Sequence, residues 1–410
     1  MIPNQWYPIL EAKDVGNSKP TGVRRMGEEL VLWRDLDGNL VCQGARCPHK
    51  GANLADGRMK GNTVECPYHG FRYGPDGACK AVPAMGSGAR IPGSLRVPTH
   101  PVREAHGLVW MWWGEERAEA DLPDIAIAPV VADNPKAYST THWTRPVHYT
   151  RYIESLLEFY HITYVHRDHW FNYIDYLFLY GTARKLGLDG KERYLAATKI
   201  VNHKLETEGR TLRYSFDHQE EADPANTTHY VITFTFPCQV HVRTEQFEAT
   251  SWLVPVDDGH TEHILRWYEY PTFKPLLRAE KLRRILPWAS LYMEKWIQDV
   301  QDVRIMERQE PKISEGGVSK FIPVDELNAK YLAIRSRLIQ EAAASKTSPA
   351  AEAVAAAAET SETAAEQEPA AKRTAAKAAA NGRRAAKAAA NGNGAGNSSG
   401  TPVAPASRAH

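Results

Sequence analysis

The 410 residues exceed what one hydrophobic core usually supports, so two or more domains are expected. Fifty Lys and Arg balance 49 Asp and Glu, and a net charge of +1 argues against a chain whose main task is gripping nucleic acid by its phosphates. No run of about 18 apolar residues and no basic-then-apolar opening occurs, so neither a membrane span nor a secretory signal is expected, and the expected compartment is the cytoplasm.

The first ~115 residues read as β-rich. Glu29–Arg34 and Asn39–Gln43 flank Asp37-Gly38, a hairpin signal. Residues 107–113 (Gly-Leu-Val-Trp-Met-Trp-Trp) read as a buried strand closing this domain. A second domain, 116–340, is mixed. A helix is predicted over 149–161. Strands follow at 230–236, where Tyr230, Ile232, Phe234 and Phe236 alternate with Val231, Thr233 and Thr235, and then at 246–255 and 262–270. A long helix over 288–309 carries Trp288, Tyr292, Trp296, Val300, Val303 and Met306 at helical spacing. Strands followed by helices predict an α+β fold with an antiparallel sheet. From residue 341 to 410, 28 of 70 residues are Ala, the octapeptide AAKAAANG occurs at 375–382 and 385–392, and a disordered tail is expected.

Cys47-Pro-His49 and Cys66-Pro-Tyr-His69 are sixteen residues apart. Each pair sets a thiolate and an imidazole on one tight loop. Two such loops can hold a cluster with two Cys on one iron and two His on the other, and neutral imidazoles raise its potential. Tetrahedral zinc competes for the same residue types, although its fingers normally group Cys with Cys and His with His. Five cysteines in so long a chain do not make a disulfide scaffold, and Cys42, Cys79 and Cys238 read as buried structural thiols. With Cys66-Pro-Tyr-His-Gly-Phe-Arg-Tyr73, the segment resembles Rieske proteins. The resemblance implies a [2Fe-2S] cluster on Cys47, His49, Cys66 and His69, held in an all-β domain over 1–115.

The second constellation is Glu154-Ser155, Glu158, His161 and His166. Histidines five apart stand ~140° round from each other on an α-helix, so they converge on one ion only if the helix ends or bulges between them. Two His and one carboxylate on one face leave positions open for O2, as non-haem Fe(II) oxygenases need. The pattern resembles the catalytic domain of Rieske non-haem iron oxygenases, where E-N-x-x-D-x-x-H-x4-H is usual, with Ser155 in place of Asn and Glu158 in place of Asp. By that resemblance Glu158 bridges a cluster His of one subunit to an iron His of the next. The third iron ligand is expected in Trp296-Ile-Gln-Asp299-Val-Gln-Asp302-Val-Arg-Ile-Met-Glu307. This stretch resembles the family segment in which a ligand Asp precedes a Glu by five, which implies Asp302, with Asp299 as the fallback. His148 and His169 read as structural.

The resemblance covers residues ~5–330 and implies an α subunit with a helix-grip-like catalytic domain. Electrons would pass along a His69–Glu158–His161 path across a subunit boundary, so an oligomer is required and a homotrimer expected. O2 then oxidises a C–H bond or ring carbon of the substrate. No G-x-G-x-x-G fingerprint or flavin motif occurs, so electrons must come from a separate NAD(P)H-dependent reductase, a ferredoxin, or both. Trp170, Phe171, Tyr173, Tyr176, Phe178 and Tyr180 suit a hydrophobic or aromatic small molecule, though ordinary core is the simpler account of them. Hydroxylation, demethylation, desaturation and oxidative cyclisation all fit. General likeness suggests the natural-product tailoring branch that resembles prodiginine oxidative cyclases. A pure Rieske electron carrier is the rival, and it leaves the second domain idle.

Overall fold

The computed structural model describes residues 1–133, 139–166, 198–221, 224–225, 227–244, 248–269, 294–315 and 319–346. The aromatic run from Trp170 to Tyr180, His169, Trp288, Tyr292 and the Ala-rich repeats lie outside the described residues. One compact unit spans Met1–Ala342.

Eleven strands build the N-terminal part: β1 (Gln5–Glu11), β2 (Thr21–Arg25), β3 (Glu28–Arg34), β4 (Leu40–Gly44), β5 (Arg58–Met59), β6 (Val64–Glu65), β7 (Arg72–Tyr73), β8 (Cys79–Ala81), β9 (Thr99–His100), β10 (Val102–Ala105) and β11 (Leu108–Trp113). They form three small antiparallel sheets, ordered β1-β11-β10, β2-β3-β4-β9 and β5-β6-β7-β8. The predicted Asp37-Gly38 hairpin joins β3 and β4, with Gly38 at φ +85°. Val31, Trp33, Val41, Leu54, Val64, Phe71 and Tyr73 make a separate small core beneath β3–β8. β1 is buried along its whole length, which is why its apolar residues do not alternate. Both β1 and β11 lie in the same core as the second sheet: Trp6, Trp110 and Trp112 share it with Tyr149, Tyr152 and Phe234.

That second sheet has seven antiparallel strands: β12 (Ser139–Arg145), β13 (Thr198–Glu208), β14 (Thr211–Glu220), β15 (Thr227–Thr235), β16 (Gln239–Thr244), β17 (Glu248–Pro255) and β18 (Thr261–Glu269). Their order is β12-β18-β17-β16-β15-β14-β13. The predicted alternation on β15 holds: Tyr230, Ile232 and Phe234 are buried on one face. The C-terminal helix α3 (Glu326–Lys346) packs there, with the Tyr331 ring 5.0 Å from Phe234, giving the helix-grip arrangement. The opposite face meets the N-terminal part. Met26 N–H donates to the Pro255 carbonyl at 2.8 Å, and Arg266 Nη1 to the His106 carbonyl at 2.6 Å. A mixed cluster at this seam, Glu11, Asp14 and His142, is tied into ion pairs, Lys13–Glu11 at 2.6 Å and His142–Glu262 at 3.2 Å.

Two helix expectations need correction. The predicted helix over 149–161 stops early: α1 is Tyr149–Leu156, and a turn leads into the single-turn α2 (Ile162–Val165). The Glu158 carboxylate accepts the His161 backbone N–H at 3.3 Å, a local bond that starts the second helix instead of prolonging the first. The long downstream helix is described from Glu294, and Glu294–Val303 is a π-helix. Val300 is exposed there, whereas Val303 and Met306 are buried.

Candidate metal centres

The two Cys/His loops are near copies. Gly51 N–H donates to the Cys47 carbonyl at 2.8 Å, and Gly70 N–H to the Cys66 carbonyl at 3.1 Å. Each glycine stands four residues after its Cys in the left-handed region, at φ +72° and +70°. The turns set Cys47 and Cys66 into the small core and leave His49 and His69 exposed. The two imidazole centroids are 4.7 Å apart. Burial pushes the Cys66 thiol up and Cys47 adds to that push, while the N–H groups of Tyr68 and His69 point at its sulfur and favour the thiolate. Tyr73 Oη lies 3.1 Å from Cys47 Sγ. Two thiols on one side and two imidazoles on the other fit a cluster whose irons take unlike ligand pairs. Cys42, Cys79 and Cys238 are buried and free, and burial raises the Cys42 and Cys238 thiols far above their usual range.

The second centre is assembled from distant segments. His161 precedes α2 and His166 follows it, so the helix ends at both histidines. Their Nε2 atoms lie 3.8 and 3.5 Å from Asp302 Oδ1, and one ligand atom from each of the three residues falls within 4.8 Å of the others. Asp299, one turn earlier, pairs with buried Arg145 at 2.7 Å instead. Burial pushes the Asp302 carboxyl above the usual carboxylate range. Burial also disfavours charge on His161, but the Glu158 carboxylate outweighs it and holds the imidazole above its ordinary value. Glu158 Oε1 is 2.7 Å from His161 Nδ1. A proton on Nδ1 bonds to that carboxylate, which leaves Nε2, on the Asp302 side, as the nitrogen that can ligate a metal. Two imidazole nitrogens and a carboxylate are a donor set that suits ferrous iron.

Other residues act around this set. Glu154 pairs with Arg151 at 2.7 Å and also contacts the Ser314 hydroxyl, so it braces α1. Buried His148 caps α1, its Nδ1 2.7 Å from Thr150 Oγ1, and burial lowers it to about 4. Sequence reasoning missed Gln298 and Gln301. Gln298 Oε1 accepts from the Tyr152 hydroxyl at 2.5 Å, and Tyr152 Oη lies 2.9 Å from Nδ1 of His263, which burial holds neutral with a pKa of about 3. Gln301 Oε1 lies 2.6 Å from His166 Nδ1. The one available signal was the tandem Gln-Asp-Val at 298–303, which repeats at nearly one helical turn.

Residues 5–101 match the family model for the Rieske [2Fe-2S] domain. That segment is similar to a Rieske [2Fe-2S] domain. Over 129 residues the chain is 36% identical to the aminopyrrolnitrin oxygenase PrnD of Pseudomonas fluorescens, covering 30% of this chain and 35% of that protein. It is 32% identical over 165 residues to the oxygenase component of 3-ketosteroid-9-alpha-monooxygenase of Rhodococcus rhodochrous, covering 39% of this chain and 43% of the other. The chain thus matches less than half the length of either relative. Dicamba monooxygenase bound to 3,6-dichlorosalicylic acid shares the fold, with a TM-score of 0.61 and 19% identity over 84% of this chain and 99% of that one. In its Rieske segment the chain is similar to proteins named as an oxygenase or an oxygenase component, and in its fold it is similar to dicamba monooxygenase. Among the described residues no helix is long and apolar enough to cross a membrane.

Proposed function

We propose that this chain is the oxygenase component of a Rieske system, oxidising a hydrophobic or aromatic small molecule with O2. The observation that carries the reading is the convergence of His161, His166 and Asp302 within 4.8 Å, in a chain that also holds a Rieske domain. An electron carrier has no use for the second set.

Cys47, His49, Cys66 and His69 are the cluster ligands in this reading, and His161, His166 and Asp302 hold the mononuclear iron. When bound, the cluster stores single electrons and the iron activates O2. The chain's own groups do the rest. Glu158 and Gln301 hold protons on the Nδ1 atoms of the two histidines, which keeps both Nε2 lone pairs aimed at one point. Exposed His49 and His69 offer their edges to another protein surface. Glu158 is the carboxylate that links His161 to His69 of a neighbouring copy, which requires an oligomer, and we take it to be a homotrimer. Phe159, 6.3 Å from His161, packs on Tyr230, which stacks on Phe216, so the core behind the histidine is aromatic, in keeping with a hydrophobic or aromatic substrate. The likeness to an aminopyrrolnitrin oxygenase favours natural-product tailoring, and hydroxylation, demethylation and oxidative cyclisation all use such a site. Electrons come from a separate reductase or ferredoxin, and the compartment is cytoplasmic.

The test is iron and acid-labile sulfide per chain on anaerobically purified protein, with EPR after dithionite reduction and nitric oxide. About three irons, about two sulfides, a Rieske signal and a separate iron–nitrosyl signal are expected. About two irons, with no nitrosyl signal even after ferrous iron is added, would leave an electron carrier and overturn the proposal.

A further inference from the structure

The two histidines of the candidate iron site are held from behind by unlike groups. His161 Nδ1 faces a carboxylate, Glu158, at 2.7 Å, whereas His166 Nδ1 faces a neutral amide oxygen, that of Gln301, at 2.6 Å. An imidazole can ligate through Nε2 only if its proton is on Nδ1, and that proton needs an acceptor. Gln301 Oε1 is such an acceptor and lies within hydrogen-bond reach.

We infer that Gln301 is a positioning residue that locks His166 in its Nδ1–H tautomer and aims Nε2 at the metal. The inference rests on the reading of His161, His166 and Asp302 as an iron site. Backbone geometry supports it. Opening the helix to π spacing over Glu294–Val303 reduces the angle between consecutive side chains, so Gln301 and Asp302 both reach the same histidine, at 2.6 and 3.5 Å. Electrostatics explains the choice of an amide. Glu158 and Asp302 already bring two negative charges to match a divalent cation. A second carboxylate behind His166 would leave the loaded site one charge negative, whereas Gln301 supplies the acceptor without the charge.

The test uses full-length protein with its cluster intact, stripped of loosely held metal by chelator and dialysed against graded Co(II). Gln301→Leu and the shorter Gln301→Asn should weaken Co(II) uptake by about 10–100-fold. The Rieske EPR signal and the melting temperature should stay as in the parent. Gln301→Glu, which restores the acceptor, should restore uptake. The ferrous–nitrosyl EPR line shape should change in the Leu and Asn variants and return in the Glu variant. Parent-level uptake by the Leu and Asn variants would overturn the inference, as would a loss that Glu does not rescue. Asp302→Ala is the control on the underlying reading. If it binds Co(II) as well as the parent does, the site itself is misassigned, whatever Gln301 does.

Discussion

The two candidate centres are built in opposite ways. Each cluster loop closes on itself within five residues, Cys47 to Gly51 and Cys66 to Gly70, through one backbone hydrogen bond and one glycine in the left-handed region. The mononuclear set joins α2 to a π-helix more than 130 residues further on, and its geometry depends on side chains that hold those elements: Tyr152 to Gln298 and His166 to Gln301. A centre written into local turns tolerates change elsewhere in the chain. A centre assembled from distant helices depends on everything that fixes their phase.

The largest effect that would sharpen this contrast comes from the tandem Gln-Asp-Val. Asp302→Ala should drop iron from about three to about two per chain and abolish turnover while the Rieske signal persists. Asp299→Ala should keep all the iron, because that carboxylate serves Arg145 at 2.7 Å. Metal analysis beside EPR reads both variants. Iron loss from Asp299→Ala alone would reverse the assignment of the third ligand.

Next comes the link between the centres. Glu158→Gln keeps the size of the side chain and an oxygen acceptor for the His161 proton, but removes the charge. Both metal sites should stay loaded, and substrate oxidation coupled to cluster oxidation should fall by at least about 100-fold. Single-turnover oxidation of the reduced cluster, with substrate present, measures it. Parent-like turnover would show that the charge of Glu158 has no part in connecting the centres.

Legibility in the sequence follows the same division. The cluster loops were readable because proline, glycine and ligands are contiguous, and the β15 alternation was readable because one face is buried. The end of α1 at Leu156 was hidden because Glu158 and Tyr160 fit a helix locally. What stops the helix is non-local as well as local: Glu158 takes the His161 N–H, and Tyr160 donates to Asp325 Oδ1 at 2.6 Å. Asp299 and Asp302 sit in identical triplets, so in the sequence only the resemblance, an Asp five before Glu307, favoured Asp302, and the partners supplied by β12 and α2 separate the two physically. For Gln301 the tandem triplet was the one signal, and it does not disclose a role that depends on a histidine 135 positions away.

A smaller effect tests whether the cluster loops are as self-contained as this implies. At both Gly51 and Gly70 a side chain is strained by the positive φ, by roughly 1–2 kcal/mol. Only at Gly70 would the new Cβ also meet a neighbour, Pro83 Cγ at 3.2 Å, while around Gly51 nothing lies within 4 Å. Gly70→Ala should therefore lower the temperature at which the cluster's visible absorption bleaches by more than Gly51→Ala does. Equal losses would mean that Pro83 yields freely and that the loop alone sets the cost.

The smallest predicted effect changes no ligand. Tyr73 is buried, and its hydroxyl lies 3.1 Å from Cys47 Sγ. Burial and the adjacent thiol both push its ionisation well above the ordinary range, so it remains a neutral O–H donor at any working pH. A donor to a cluster sulfur stabilises the more negative, reduced state. Tyr73→Phe should therefore lower the reduction potential, on the order of tens of millivolts, with the cluster fully retained. Protein-film voltammetry measures the shift directly. A rise, or no change, would mean that the hydroxyl does not donate to the sulfur once the cluster is in place, and that the cluster's potential is set by the loop N–H groups and its exposed histidines alone.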